Sequence, residues 1–416
     1  MTTSRRRPRG EGCIFQFRTK AGAERFGYKH TVLAADGRRR QVLRRRDENG
    51  QPWLTRQDAA NALREAIVKA CKGSWIEPSR QPVGEYLETW LSGLRLAPST
   101  MASYRKNVRL HIQPYIGAMP LASLTSARLT ALYRELETSG RRDQKGERTG
   151  LPLSPRTVRY IHTIVRAALD AAVQDEAPLL ERNPAVKAKP PTVKEAKSPE
   201  MHPWDASQLG AFLDWSADKS PLHAPWHVLA MTGMRRGELL ALRWRDVDLD
   251  AGTISIRRSV GVVKTKGQPE QITEGGTKTC RPRVIDIDPA TVAVLRTWKS
   301  ERGALALQLA RGGSVVFGNR EGSFRHPETF SKLFGKAQER CARTLGTDAL
   351  PRIRLHDLRH THATLLLRDR ESPNVVSERL GHASVAVTLS IYNHVLPGDQ
   401  KAAAARFAAL VRGAGA

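Results

Sequence analysis

The sequence predicts a multidomain protein, mainly α-helical with small β elements: a small N-terminal β-sheet-plus-helix module, a helical middle domain and a mixed α/β C-terminal domain. Three observations lead there. The chain has 416 residues, too many for one compact core. Short β-branched and aromatic runs fill its first 55 residues, whereas apolar spacing turns helical from residue 83. Five prolines and several lysines between Asn183 and Pro203 read as an exposed linker with a domain boundary in it.

The elements follow in order. Cys13–Phe17, Gly27–Leu33 and Arg39–Leu43 read as strands, with turn signals at Asp36-Gly37 and Asn49-Gly50. A helix runs from Thr55, its N-cap, to Gly73, with Asp58 three residues on. Val83, Tyr86, Leu87, Trp90, Leu91 and Leu94 recur at helical spacing, and Ser99–His111, Leu124–Glu137 and Ser154–Val173 make further helices. Ser154 is the N-cap of the last, with Pro155 at its first position. The polar insert Ser139–Gly150 reads as a loop. Beyond the linker, Thr253–Val260 and Arg283–Ile287 read as strands, and the polar, Gly-rich stretch between them contains Lys278. These readings divide the chain into 1–75, 82–185, a linker 186–203, and 204–416 with a C-terminal tail.

Charge gives the first functional clue. Sixty-eight Lys and Arg face 41 Asp and Glu, a formal +27. Such a field attracts polyanions, and nucleic acid is the leading partner, although ribosomal or anionic-lipid binding gives the same composition. Residues 1–80 hold 19 Lys or Arg against 8 Asp or Glu, dense enough for a DNA-groove module or a solvated tail. Cys13, Cys71, Cys280 and Cys341 form no CxxC pair, which excludes a zinc-ribbon pattern and fits a reducing cytosol. No apolar run approaches the roughly 20 residues of a membrane span, and no apolar segment follows the basic N-terminus as in a signal peptide. The expectation is a soluble, cytoplasmic protein with no membrane partner.

Three segments combine cations or proton-transfer groups with apolar helices. In Thr232–Glu238 (TGMRRGE), Gly233 can end one helix, Arg235 starts the next, and Glu238 lies within reach on the same face. The bland reading is a surface Arg–Glu pair. In His356–His360 (HDLRH), His356 and Arg359 share a helical face, so a phosphate could meet a guanidinium and an imidazole together. His356 and His360 are also four apart, but a zinc site needs a third ligand that is not evident. The third segment is Leu380–Ser384 (LGHAS), followed ten positions after His382 by Tyr392. A lone tyrosine near a C-terminus is usually packing or surface.

Taken together, these segments resemble the tyrosine recombinase (phage integrase) family, of the arm-binding type. Arg235 matches the family's first catalytic arginine in TGxRxxE. His356 and Arg359 match the HxLRH pair, His382 the histidine of LGHxS, and Tyr392 the nucleophile of the YxHV context. The family's β-hairpin lysine fits Lys278 best, with Lys264 and Lys266 as rivals. Pro282 is unusual for that hairpin strand and would disturb pairing unless it lies at an edge. The resemblance is strongest over 204–397. It implies an arm-type DNA-binding module at 1–75, a core-binding domain at 82–185 and a tyrosine-recombinase catalytic domain at 204–416.

What the resemblance implies chemically is metal-independent and cofactor-free DNA strand breaking and rejoining through a 3′-phosphotyrosine. Arg235 and Arg359 would clamp the phosphate, His356 serve as base or relay, His382 donate to a phosphate oxygen and Lys278 protonate the leaving 5′-oxygen. It also implies double-stranded attachment sites, a homotetramer on DNA, and a nucleoid-associated enzyme that can use a host DNA-bending protein or an excision factor. The segment Lys401–Arg412, with Phe407, Leu410 and Val411, could pack on a neighbouring protomer or cap its own. A type IB topoisomerase uses the same residues as a monomer, and a non-enzymatic DNA-binding protein could keep the fold. The basic N-terminal module and the spacing from His382 to Tyr392 favour the recombinase.

Overall fold

The computed structural model describes residues 12–19, 22–33, 39–47, 51–71, 79–143, 146–197, 202–265, 267–276, 282–346, 350–392 and 399–413. The chain divides into two compact units, Met1–Ser198 and Pro199–Ala416.

The first unit opens with a three-stranded antiparallel sheet, β1 (Cys13–Arg18), β2 (Glu24–Leu33) and β3 (Arg39–Arg44), in that spatial order. Register pairs Phe15 with Gly27 and His30 with Val42. Helix α1 (Arg56–Cys71) packs on β2 and buries Ala59 and Leu63 near Tyr28 and Val32. Thr55 Oγ1 accepts from the Asp58 amide at 3.1 Å, the cap the sequence predicts. The turns predicted at residues 36–37 and 49–50 lie outside the described residues.

A helical bundle follows: α2 (Val83–Gly93), α3 (Pro98–Asn107), a π-helical turn at Val108–Ile112, α4 (Gln113–Ile116), α5 (Ser126–Ser139) and α6 (Pro155–Gln174). On α6, Val158, Ile161, Val165, Ala168, Leu169 and Ala172 are buried at the spacing of one helical face, and Ser154 caps it at the Thr157 amide. The π turn is what the sequence reading missed. Val108, Ile112 and Ile116, spaced by four, are all buried. An α-helix of 3.6 residues per turn lets a four-residue stripe drift around its axis, and the wider turn brings it back onto the core.

Two readings need amendment here. The insert after α5 is folded: Arg141 N donates to Leu151 O at 2.9 Å, Arg142 bridges to Arg148, and both guanidiniums lie over the Tyr115 ring. Nor does the first half of the 183–203 segment hang free, although Val186, Lys187 and Lys189 face solvent. Asn183 caps a short 3-10 turn at Pro184–Lys187, and Ala185, Ala188 and Pro191 are buried. Lys189 N donates to Thr130 Oγ1, and Arg159 donates to Pro191 O. Small side chains between prolines let this strand of chain lie flat on the bundle.

The second unit contains α7 (Ala206–Lys219), α8 (His223–Thr232), α9 (Arg236–Ala241), β4 (Val247–Asp248), β5 (Thr253–Ile256), β6 (Arg258–Val263), β7 (Gln271–Gly276), β8 (Arg283–Asp286), α10 (Pro289–Leu305), α11 (Pro327–Leu345), α12 (Asp357–Arg368), α13 (Pro373–Leu380), α14 (Val385–Tyr392) and α15 (Asp399–Gly413). Its core is aromatic. Trp204, Phe212, Trp226, Phe330 and Phe334 are fully buried, and Trp226 sits 4.7 Å from Phe330 and 5.4 Å from Phe334. Each such pair contributes about 0.5–1.5 kcal/mol beyond its buried area, and together they seat α8 against α11.

The run Thr253–Val260, read as one strand, is two. β5 pairs with β4 and β8, and β6 forms a separate hairpin with β7. β7 escapes a hydrophobicity reading because QITEGG is polar. It is held by register, Val262 opposite Ile272, and by Glu274 between Arg243 and Arg258. Pro282 precedes β8 and breaks no pairing. No described helix is long and apolar enough to cross a membrane. On α15, Phe407, Leu410 and Val411 are 70, 72 and 60% exposed.

Candidate active site

The site is built on two left-handed turns. Helix α8 ends at Gly233, with φ +61°. A side chain there would meet Leu380 Cδ2 at 2.6 Å and His362 Cδ2 at 2.8 Å, so both backbone angle and space demand glycine. Arg235 follows as the N-cap of α9, and its Nη1 pairs with Glu238 Oε1 at 2.9 Å. This is no surface pair, because Glu238 is 2% exposed. The second turn is Gly381, φ +66°, which ends α13.

Both predicted arginines are tied to that second turn. Arg235 Nη2 donates to Gly381 O at 3.1 Å, and Arg359 Nη2 donates to Leu380 O at 2.7 Å. Arg359, on α12 and 3% exposed, also donates to Gly233 O at 2.8 Å. It therefore joins the two turns. His382 follows directly, and its Nδ1 lies 2.7 Å from Oγ1 of the buried Thr388 on α14. That bond fixes the imidazole's orientation.

Arginine charge dominates the electrostatics around the two histidines. Burial and the charges of Arg359 and Arg235 push His382 down to about 4. His356, the N-cap of α12, stacks edge-on with His360 at 5.1 Å between ring centres. Burial first, and then the charges of His360 and Arg359, push its pKa down to about 4, against the opposing pull of the Asp357 carboxylate. Both imidazoles are therefore neutral at pH 7. Glu238 runs the other way. Burial alone would raise it, but the Arg283 hydrogen bonds and charge, then Arg235, hold it below the usual carboxylate range.

The structure brings Arg235, Arg359 and His382 together and sets His356 among the same cations. Tyr392 ends α14, the helix that carries Thr388; its side chain lies outside the described residues. Lys278 and Lys266 also lie outside them. Lys264 is described, and its Nζ is paired with Glu270 and Glu328, each at 2.8 Å. Among the described residues no three His, Cys, Asp or Glu side chains converge as a metal cluster would.

Sequence reasoning passed over Arg283 and Thr388. Arg283 grips both oxygens of Glu238, at 3.2 and 2.7 Å. In the sequence it stands out only as the last basic residue of the run Lys278–Arg283 and the first of a strand, with no role assigned to it.

Residues 201–398 match the Phage integrase family, and residues 83–136 match the N-terminal SAM-like domain of phage integrases. Those spans cover more than half of the chain, and the first encloses every residue named above as a catalytic candidate. The chain belongs to the phage integrase family. It is a tyrosine-type site-specific recombinase. Among integrases, it is 28% identical over 309 residues to the ICEBs1 integrase of Bacillus subtilis, spanning 73% of this chain and 76% of that one. The Tn1549 transposon integrase, solved with a circular intermediate DNA, superposes with a TM-score of 0.64 at 20% identity over 79% of this chain and 99% of its own. A lambda integrase tetramer bound to a Holliday junction gives 0.54 at 14% identity, over 93% and 96%. At these identities the two structures speak for the integrase fold.

Proposed function

We propose that this recombinase cleaves double-stranded attachment-site DNA with Tyr392 as nucleophile and Arg235, Lys278, His356, Arg359 and His382 as its catalytic set. The observation that carries the reading is the anchoring of Arg235 and Arg359 to adjacent carbonyls of one turn, with His382 next in the chain. Two guanidiniums held this way offset the charge of a pentavalent phosphorus without a metal ion.

The phenol oxygen of Tyr392 attacks the scissile phosphorus and loses its proton to His356 or through it. The phosphorus–O5′ bond breaks, Lys278 gives the departing oxygen a proton, and the 3′-phosphate remains on the tyrosine. His382 donates to a non-bridging oxygen. A phosphodiester is exchanged for a phosphotyrosine ester, so rejoining needs no ATP. A phosphate entering the site offsets the arginine charges that help lower the His356 pKa, and so makes the imidazole a better proton acceptor when substrate is present.

In this proposal residues 1–75 bind distal arm-type sites, 82–185 bind the core site, and 186–203 connect that domain to 204–416, which carry the chemistry. The working form is a homotetramer on paired duplexes, a reading supported by the lambda integrase tetramer bound to a Holliday junction. Its place is the cytoplasm, on the nucleoid, with a host DNA-bending protein or an excision factor setting direction. The deciding experiment uses a nicked suicide duplex. Wild type gives a covalent protein–DNA adduct and Tyr392→Phe gives none with DNA affinity retained. A normal adduct yield from Tyr392→Phe would remove the nucleophile assignment.

A further inference from the structure

The side chain of Arg235 rests on two supports, the Glu238 carboxylate through Nη1 and the Gly381 carbonyl through Nη2. One residue outside the proposed catalytic set holds both. Arg283, the first residue of β8, donates Nη1 to Glu238 Oε1 at 3.2 Å and Nη2 to Oε2 at 2.7 Å. Its Nε donates to Arg379 O at 3.0 Å, two residues before Gly381. Space for it comes from Gly381 itself, where a Cβ would lie 2.8 Å from Arg283 Nη1. The side chain of Arg283 is only 8% exposed and that of Glu238 1%, so the pair is shielded from water.

We infer that Arg283 is a positioning residue for strand cleavage, aligning the Arg235 guanidinium by fixing the carboxylate and the turn on which it rests. The charges explain why this matters. Glu238 accepts four hydrogen bonds, two from Arg235 (backbone N and Nη1) and two from Arg283. Two guanidiniums share one carboxylate, so a net positive charge is left for an incoming anion. Without Arg283, Glu238 would form a closed pair with Arg235 alone, turning and neutralising the group meant for phosphate. β8 also begins directly after the segment that carries Lys278, so Arg283 registers that strand against the arginine.

The inference rests on the proposed role of Arg235, and the test separates the two. Full-length Arg283→Ala, Arg283→Lys and Arg235→Ala are compared on a suicide duplex with an ordinary scissile phosphodiester and on one with a neutral methylphosphonate there. A methylphosphonate carries no charge to offset, so it relieves the loss of a charge clamp. Rates are taken per folded molecule, from far-UV circular dichroism and the melting transition. Arg283→Ala is expected to cleave the phosphodiester about 10- to 100-fold more slowly, less than the roughly 10²–10³-fold typical of removing a direct electrostatic donor. Duplex affinity should be unchanged, and most of the deficit should vanish on the methylphosphonate, in parallel with Arg235→Ala. Arg283→Lys, which keeps the charge but cannot span both oxygens and the Arg379 carbonyl, should fold like wild type and recover only part of the rate. If Arg283→Ala does not fold, Arg283→Lys carries the same comparison. An equal deficit on both substrates, or a wild-type rate per folded molecule, overturns the inference. If Arg235→Ala itself shows no methylphosphonate relief, the clamp role fails, and Arg283 with it. Adduct from Tyr392→Phe, run alongside, would instead sink the nucleophile assignment.

Discussion

Arg235 and Arg359 lie 124 residues apart in sequence, yet they are anchored to neighbouring carbonyls, Gly381 O at 3.1 Å and Leu380 O at 2.7 Å. Their spacing is set by one turn of backbone. Gly381→Ala tests this. Its φ of +66° costs an L-residue about 1–2 kcal/mol, and the added carbon meets the Arg283 guanidinium at 2.8 Å. We expect a stability loss of that size or somewhat more in urea unfolding, together with slowed adduct formation by the folded fraction. Wild-type cleavage kinetics from folded Gly381→Ala would show that the turn does not set the clamp.

Acid should loosen the catalytic unit through its histidines. His362 and His382 are held at about 4 by burial first and then by arginine charge, against about 6.5 in an unfolded chain. The folded state therefore binds fewer protons than the unfolded state between those values. Stability is fully present above pH 6.5, falls as pH drops toward 4, and levels off below. Each such proton contributes a slope of about 1.4 kcal/mol per pH unit within the window. His362 gives the sharper test. Its Nδ1 faces Ala230 O and its Nε2 accepts from Arg379 Nε at 3.2 Å, so protonation removes an acceptor and sets two cations together. His362→Gln should keep the stability of wild type at pH 7.5 and lose less of it at pH 5. Parallel acid curves for the two proteins would contradict this.

Lys278 is tested by its leaving group. A 5′-bridging phosphorothiolate departs as a thiolate and needs no proton, whereas losing a positioned acid costs about 10²–10⁴-fold on normal DNA. Lys278→Ala should be severely slow on the phosphodiester and near wild type on sulfur, with Arg235→Ala slow on both. The rival Lys264 is already bound to Glu270 and Glu328, whose hydrogen bonds hold its pKa above the usual lysine range. Lys264→Ala should therefore cleave both substrates at close to the wild-type rate. Equal impairment of Lys278→Ala on both substrates would pass the role to Lys266.

Removing residues 1–75 should abolish protection of distal arm-type sites in footprinting while a core-site duplex is still cleaved. The salt slope of the remaining binding should fall by roughly 0.9 for each phosphate that is no longer neutralised. A full-length footprint from the truncated protein would reduce the module to a solvated tail.

Helices with strong periodicity were legible in the sequence, and so were caps such as Thr55 and Ser154, because local hydrogen bonding decides them. The two glycine turns were half legible. Gly233 reads as a helix end, but nothing local says that Leu380 and His362 occupy the place of its side chain. Strand β7 and the packed tract Asn183–Pro191 were not legible, since partners distant in sequence hold them: Arg243 and Arg258 on Glu274, Thr130 and Arg159 on the tract. Arg283 was hidden for the same reason. Its partners lie 45 and 96 residues away, and spacing arguments reach only along one element.

The bare stripe on α15 has a consequence for handling the protein. Phe407, Leu410 and Val411 stand in water on a molecule of formal charge +27, so colloidal behaviour depends on two opposing responses to salt. At low ionic strength mutual repulsion keeps protomers apart, and co-purifying nucleic acid clings to them. Raising salt to 1 M strips the nucleic acid but shrinks the Debye length from about 10 Å to about 3 Å, and sulfate further strengthens apolar association. The buffer that cleans the preparation is thus the one that lets it cluster. Leu410→Glu should shift the onset of light scattering to higher sulfate concentration without changing the salt at which nucleic acid is released.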